Sequence, residues 1–276
     1  MTETRDGSST RGCKHQPPAI TPSLDRGALA EVQTLLVDWF GREGRDLPWR
    51  RTRDPWRILV AEVMLQQIQV ARAIPFWEAF VDRFPTPLAL AEAQLSAAIR
   101  VWGGLGRYRR VVDLHRTARI LVADHAGLVP DDPVVLRSLP GIGPYSAGAI
   151  ACFAFERDVS FVDTNIRRVL HRLFVAADVP ASNVTAKEIA AIAAVAVPVG
   201  KGWSWNQALM DLGATVCTAR KPKCDRCPVS ASCITRPTIA AALASTAAAQ
   251  RKSSQRLANP YEGTNRYYRG RVLEQL

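Results

Sequence analysis

Leu139-Pro140-Gly141-Ile142-Gly143-Pro144-Tyr145-Ser146-Ala147, followed shortly by Phe161-Val162-Asp163-Thr164-Asn165, is the stretch around which the chain reads. An apolar turn precedes two glycines and a proline, and the small residues from Ala147 to Ala151 then read as a new helix. Gly141 and Gly143 carry no Cβ, so the backbone can turn tightly there and approach another molecule closely. The helix that follows points free N–H groups outward, which suits a phosphate oxygen. Helix, Gly-x-Gly hairpin, helix and then an aspartate read together as a grip on a DNA backbone with a carboxylate beside it. The two glycines alone fit a structural helix-turn-helix equally well.

Bulk properties agree with a polyanion partner. Lys+Arg 36 against Asp+Glu 25 gives a net charge of +11, with a pI of about 9.8, and cationic side chains release counterions from phosphate. The 276 residues suffice for a sizeable core in one large domain or two lobes. No apolar run is long enough to span a membrane, and the polar, basic first residues do not read as a secretion signal. A cytoplasmic, nucleoid-associated chain that acts as a monomer is expected.

Residues 1–25 read as a disordered basic arm. Helical spacing runs from Leu29 to Phe40 and stops at Gly41. Further helices are expected over Ile58 to Ala71, Trp77 to Phe84, Pro87 to Val101, Val111 to His125, Thr164 to Phe174, Thr185 to Val197 and Trp205 to Val216. Repeated helices of moderate length, with few alternating β-branched runs, predict an all-α protein. The alanine-rich run from Ile239 to Ala248 reads as a linker or weak helix, and the tail from Asn259 is basic and aromatic.

Two further motifs carry chemistry. The first is Cys217-x6-Cys224-x2-Cys227-x5-Cys233, four thiolates in a span short enough to wrap one metal ion or cluster. Only one pair has the Cys-x-x-Cys spacing of structural zinc, which remains the alternative. The second is the segment Ala61-Glu62-Val63-Met64-Leu65-Gln66-Gln67, an acid among core-like neighbours. A lone glutamate is usually on a solvated face. Drawn into an apolar cavity, Glu62 would instead hold a proton for a leaving group.

The cysteine spacing resembles the [4Fe-4S] loop of endonuclease III and MutY-type glycosylases, with Arg220-Lys221-Pro222-Lys223 between the first two ligands, as in the basic loop those families press against DNA. The resemblance extends through Leu47-Pro48-Trp49-Arg50, the Glu62 to Gln67 segment, Trp102-Gly103-Gly104-Leu105-Gly106, the hairpin, Asp163-Thr164-Asn165, Asn206-Gln207-Ala208 and Asp211-Leu212-Gly213-Ala214. In order and spacing these match MutY adenine glycosylases of the helix-hairpin-helix (HhH-GPD) superfamily, from about Leu29 to Cys233.

The resemblance implies a two-lobed all-α fold: residues 26–51 with 161–234 as the cluster lobe, 52–160 as a six-helix barrel bearing the hairpin, and 235–276 as linker and basic tail. It implies double-stranded DNA containing a mispair as partner and a [4Fe-4S] cluster on Cys217, Cys224, Cys227 and Cys233. Carried over to this sequence, Glu62 protonates the adenine ring and Asp163 stabilises the sugar cation. Asn165 positions the site and Tyr145 closes it. Trp49, Arg50 and Gln207 line the base pocket. Leu65, Gln67, Arg107, Gly141, Gly143, Lys221 and Lys223 face DNA, with Leu65 and Gln67 filling the gap left by a flipped nucleotide. Asp163 also reads as a helix N-cap, and the two roles are compatible.

Endonuclease III relatives place a lysine where Tyr145 stands, and that amine attacks the sugar. A phenol cannot form the imine, so a monofunctional glycosylase is expected. Full-length MutY enzymes carry a C-terminal Nudix-like domain that checks for 8-oxoguanine, and the stretch after Cys233 is too short to fold one. Arg107 stands where MutY has the first of two tyrosines, Asp-Thr-Asn replaces Asp-Gly-Asn, and Ile68 replaces a threonine. The expected activity is excision of adenine opposite guanine or 8-oxoguanine. A thymine or uracil mismatch glycosylase and a non-catalytic damage-binding relative are the alternatives.

Overall fold

A computed structural model describes residues 26–178, 184–254 and 267–268. Every regular element among them is helical. Helix α1 (Arg26–Glu43) is followed by a short turn at Pro48–Arg50, then α2 (Pro55–Leu65), α3 (Val70–Arg83), α4 (Pro87–Ala91), α5 (Leu95–Trp102) and α6 (Arg109–Asp124). The hairpin joins α7 (Pro133–Leu136) to α8 (Pro144–Phe155). Beyond it lie α9 (Thr164–Phe174), α10 (Ala186–Ala196), α11 (Gly202–Asp211) and α12 (Ile239–Ser254).

Helix α2 is the hub. Asp54 caps its first turn by accepting from the Arg57 N–H, and Pro55 occupies the first helical position, where its missing N–H costs nothing. All seven residues from Ile58 to Met64 are buried, the pattern of a helix surrounded by protein. It packs against α3, α6 and α8. The expected single helix over Ile58 to Ala71 breaks at Gln66, because Gln67 takes a left-handed conformation with φ of 60°. Arg110 on α6 donates to the Met64 carbonyl at 3.1 Å, satisfying one of the carbonyls the break exposes.

Two apolar cores result. One gathers Trp56, Leu59, Met64, Phe80, Phe84, Trp102, Leu114, Leu136 and Ile150. The other gathers Leu36 of α1, Phe153, Phe161, Leu170, Ile189, Trp205 and Leu209. Helices α2 and α8 serve both, since Ile58 and Ala149 join the second core. Leu47 and Trp49, sequence neighbours of α1, pack in the first core rather than the second. The stretch expected as one helix over Pro87 to Val101 is two, α4 and α5, and α11 begins at Gly202 and passes into a π turn over Leu212–Val216. The alanine-rich run forms α12, with Ile239 buried at its start. The expected basic arm, Cys13 and most of the basic tail lie outside the described residues.

One buried charge fastens the loop after α1 to α11. Asp211 is 1% exposed and takes both terminal nitrogens of Arg50 at 2.9 and 2.7 Å. It also accepts from the Arg45 guanidinium at 2.8 and 2.6 Å and from the Arg45 N–H at 2.8 Å. Burial raises a carboxyl, but the two arginines outweigh it and hold Asp211 below the ordinary carboxylate range. Asp211→Ala strands the Arg50 guanidinium without its partner, and a loss of about 3–5 kcal/mol is expected in denaturant unfolding. A loss below ~1 kcal/mol would mean that the pair adds nothing beyond its desolvation cost.

Candidate functional site

Glu62 sits in the middle of α2, 4% exposed. Its carboxyl is pushed up to about 8, chiefly by burial and then by the Asp163 carboxylate, against the pull of the Arg50 guanidinium and hydrogen bonding to Tyr145. At neutral pH it therefore carries a proton. The solvated helix face weighed from sequence does not hold.

Two expected site residues, Tyr145 and Asp163, act on Glu62 directly. Tyr145, in the first turn of α8, packs edge-on against Phe161 at 5.4 Å. Burial and then the Glu62 and Asp163 charges hold its phenol well above the usual range, so it stays neutral. Asp163 caps α9: one carboxylate oxygen accepts from the Ile166 N–H at 2.6 Å, and the other accepts from the Asn165 amide at 3.0 Å. The Asn165 amide oxygen accepts from Arg168 at 2.8 Å, and Arg168 also donates to the carbonyls of Gly213 at 2.7 Å and Cys217 at 2.8 Å. Gly213 is required for this approach, since a Cβ there would fall 2.7 Å from the Asn165 Cβ. One chain of contacts thus runs from Asp163 to the first cysteine of the loop. Arg168 went unnoticed in the sequence; its i, i+3 relation to Asn165 on a helix was the available signal.

Trp49 is buried and meets Trp77 edge-on at 5.7 Å. Arg50 spends both terminal nitrogens on Asp211, leaving its buried Nε as the donor without a partner. A base-facing Arg50 would thus have one nitrogen to offer. Gln207 on α11 is 4% exposed. Gln66, unassigned from sequence, donates to the Gly141 carbonyl at 3.1 Å and so ties the end of α2 to the hairpin.

In the hairpin, Gly141 has φ of 77° and needs to be glycine. Gly143 is extended, and a Cβ there would meet no protein atom, so the turn does not require glycine at that position. What Gly143 leaves is open space in front of the α8 N-terminus. Gln67 and Arg107 are exposed with φ of 60° and 50°, left-handed conformations unusual for residues with side chains. Leu65 lies half-buried beside Gln67. Lys221 and Lys223 are exposed on the cysteine loop.

Cys217, Cys224, Cys227 and Cys233 ring one cavity together with Arg172, Val216, Pro222, Lys223, Thr235 and Ile239. Buried Arg172 shapes the loop, donating to the carbonyls of Thr218 at 2.8 Å and Ala219 at 3.1 Å. Among the described residues, no three His, Cys, Asp or Glu side chains converge on a single-ion site. A tetrahedral zinc holds sulfurs about 2.3 Å from one ion, whereas a ring of thiolates around a wider space fits a polynuclear cluster. Burial pushes the Cys227 thiol up to about 12 and raises those of Cys217 and Cys233, so these three become thiolates only against a cationic group.

Residues 60–194 match the family described as HhH-GPD superfamily base excision DNA repair protein, and residues 217–233 match the iron–sulfur binding domain of endonuclease III. The cofactor is a [4Fe-4S] cluster on these four cysteines. Over 243 residues the chain is 43% identical to an adenine DNA glycosylase of Mycolicibacterium smegmatis, covering 87% of this chain and 78% of that one. Among solved structures it resembles a thermostable thymine-DNA glycosylase, with a TM-score of 0.71 and 28% identity over 76% of this chain and 97% of that one. A non-covalent endonuclease III–DNA complex shares the fold, with a TM-score of 0.65 and 21% identity over 79% and 97% of the two chains.

The buried proton on Glu62 has a stability signature. Folded, the group titrates near pH 8; unfolded, near 4.5. Between these values the folded state binds more protons than the unfolded one, so stability falls as pH rises. The full shift corresponds to at most about 5 kcal/mol. Glu62→Gln should lose much less stability than the parent between pH 5 and pH 8.5 in denaturant titrations. Equal losses in both would mean that Glu62 is not protonated in the folded protein.

Proposed function

Because the chain belongs to the HhH-GPD superfamily of base excision DNA repair proteins and is similar over most of its length to adenine DNA glycosylases, we propose how its residues divide the work on DNA and which pair they address. It is a DNA glycosylase that hydrolyses the N-glycosidic bond of adenine. The observation that carries the proposal is the pairing of Glu62 and Asp163 at one site, with Glu62 raised to about 8 partly by the Asp163 charge.

Glu62 gives its proton to a ring nitrogen of the extruded adenine. The bond to the sugar breaks with its electron pair on the base, and the positive charge left on the sugar faces the Asp163 carboxylate. Water then adds to the sugar carbon and gives up a proton to the Glu62 carboxylate, which restores the acid. The two carboxyls do different work because one is desolvated and the other accepts two hydrogen bonds at a helix start. Asn165 and Arg168 are positioning residues for Asp163. Tyr145 brings a neutral phenol and no amine, which supports hydrolysis without strand cleavage. Trp49, Gln207 and the Nε of Arg50 serve as the base pocket. The α8 N-terminus behind Gly143, with Lys221 and Lys223, takes DNA phosphates. We propose a monomer acting on mispaired duplex at the nucleoid.

For the opposing base we propose a preference for guanine over 8-oxoguanine, carried by Arg107. A guanidinium only donates. Guanine offers two acceptors, N7 and O6, on its major-groove edge, whereas 8-oxoguanine carries a hydrogen on N7. Likeness to a thymine-DNA glycosylase at 28% identity is outweighed by 43% to an adenine enzyme, so the thymine reading is secondary.

Single-turnover excision on A:G, A:8-oxoguanine, T:G and U:G duplexes is the test, with adenine release from the first two expected. Thymine or uracil release in its place would overturn the assignment of Gln207. The excision rate should fall as pH rises through about 8, as Glu62 loses its proton. Arg107→Tyr should raise the rate on A:8-oxoguanine relative to A:G by roughly tenfold, in line with about 1–3 kcal/mol for a bidentate base contact. An unchanged ratio would remove Arg107 from base reading. Asp163→Asn should abolish turnover while leaving duplex affinity largely intact.

A further inference from the structure

Among the described residues lining the cysteine cavity, one fully buried side-chain polar atom lacks a partner. Thr235 is 1% exposed and lines the cavity with the four cysteines, yet its hydroxyl makes no hydrogen bond. The backbone around it is fully engaged. The Thr235 N–H donates to the Arg172 carbonyl at 3.1 Å, and its carbonyl accepts from the N–H groups of Thr238 at 3.0 Å and Ile239 at 2.9 Å, which opens α12. These bonds fix the Cα, so the side chain is held at the cavity wall. A buried, unpaired hydroxyl costs about 1–3 kcal/mol, and an apolar residue would avoid that cost at a site bordered by Val216 and Ile239.

We propose that Thr235 donates its O–H to a sulfur of the [4Fe-4S] cluster and thereby sets the cluster's reduction potential. Cluster sulfurs are electron-rich acceptors, and hydrogen bonds to them withdraw charge, which favours the reduced level and raises the potential. The neighbouring N–H groups of Thr235 and Arg236 are spent on the carbonyls of Arg172 at 3.1 Å and Cys233 at 3.2 Å. Thr235 adds a buried side-chain donor that is free to turn toward the group. Arg172 already donates to the Cys217 sulfur at 3.7 Å, besides Asp178, Thr218 and Ala219.

Thr235→Val keeps the shape and removes the donor, and Thr235→Ser keeps the donor and removes the methyl. In protein-film voltammetry of the cluster-loaded protein, Thr235→Val should shift the midpoint potential downward and speed bleaching of the cluster absorption by ferricyanide. Thr235→Ser should match the parent in both readouts. If Thr235→Val does not load the cluster, Thr235→Ala gives the same comparison with the hydroxyl gone and more room. Parental potential and bleaching rate in the donor-free variant would overturn the proposal. So would a shift in Thr235→Ser as large as that in Thr235→Val, because packing of the methyl would then be the cause.

Discussion

The constraint on which the site depends is that α2 is buried all round from Ile58 to Met64 while carrying an acid within that run. A helix enclosed on every side has no solvated face to which Glu62 can turn. Its carboxyl accordingly stays protonated at a pH where an exposed glutamate is ionised. The same enclosure fixes its position, because Leu59, Val60, Val63 and Met64 are locked in the core on either side. Retention of the proton and fold stability thus pull against each other at this residue: the burial that holds the proton penalises the fold as pH rises. A neutral glutamine would relieve the fold and remove the proton.

The second constraint is the route by which the cysteine loop and the acid site are tied together. Asp211 binds Arg50 at one end of α11, and the chain then passes through the π turn at Leu212–Val216 into Cys217. From the other direction, Arg168 reaches from the Cys217 and Gly213 carbonyls to Asn165, which holds Asp163. Asp163 is therefore braced from the segment that begins the loop, and Arg50, whose charge acts on Glu62, is held from the residue just before it. A π turn is a strained choice for ordinary packing. Here it sets the Cys217 N–H on the Leu212 carbonyl at 2.6 Å and turns the first ligand toward the cavity.

Much of this was legible in the sequence, for identifiable reasons. Helices with strong periodicity and clear caps were read well: Asp163 at the start of Thr164 to Phe174 gave that helix to the residue. Breaks were not legible where they depend on tertiary contact. Nothing local in Gln66-Gln67-Ile68 stops a helix; the stop is made by Arg110 from α6 and by the left-handed Gln67. Site residues tied to a motif were nameable, whereas Asp211 as a double-arginine hub and Gln66 as the link to the hairpin were not, since their partners lie 161 and 75 residues away. Gly143 was overread: its backbone is extended, so its lack of a side chain matters for the space outside the turn and not for the turn itself.

Gln67 and Arg107, two of the four exposed non-glycine residues with left-handed backbone among the described residues, share one logic with the buried acid. Backbone strain at a non-glycine residue persists only where the surroundings enforce it. Gln67 lies just past the end of α2, and Arg107 precedes α6, the helix whose Arg110 covers that end. The strain is stored on either side of one junction, and it turns both side chains outward, away from the core that holds Glu62. If the helix ran on through Gln66, the polar side chain of Gln67 would be carried round with the buried face, and nothing at that corner would reach a partner. The interruption of α2 thus separates a proton held inside the protein from contacts made outside it, within a span of five residues from Glu62 to Gln67.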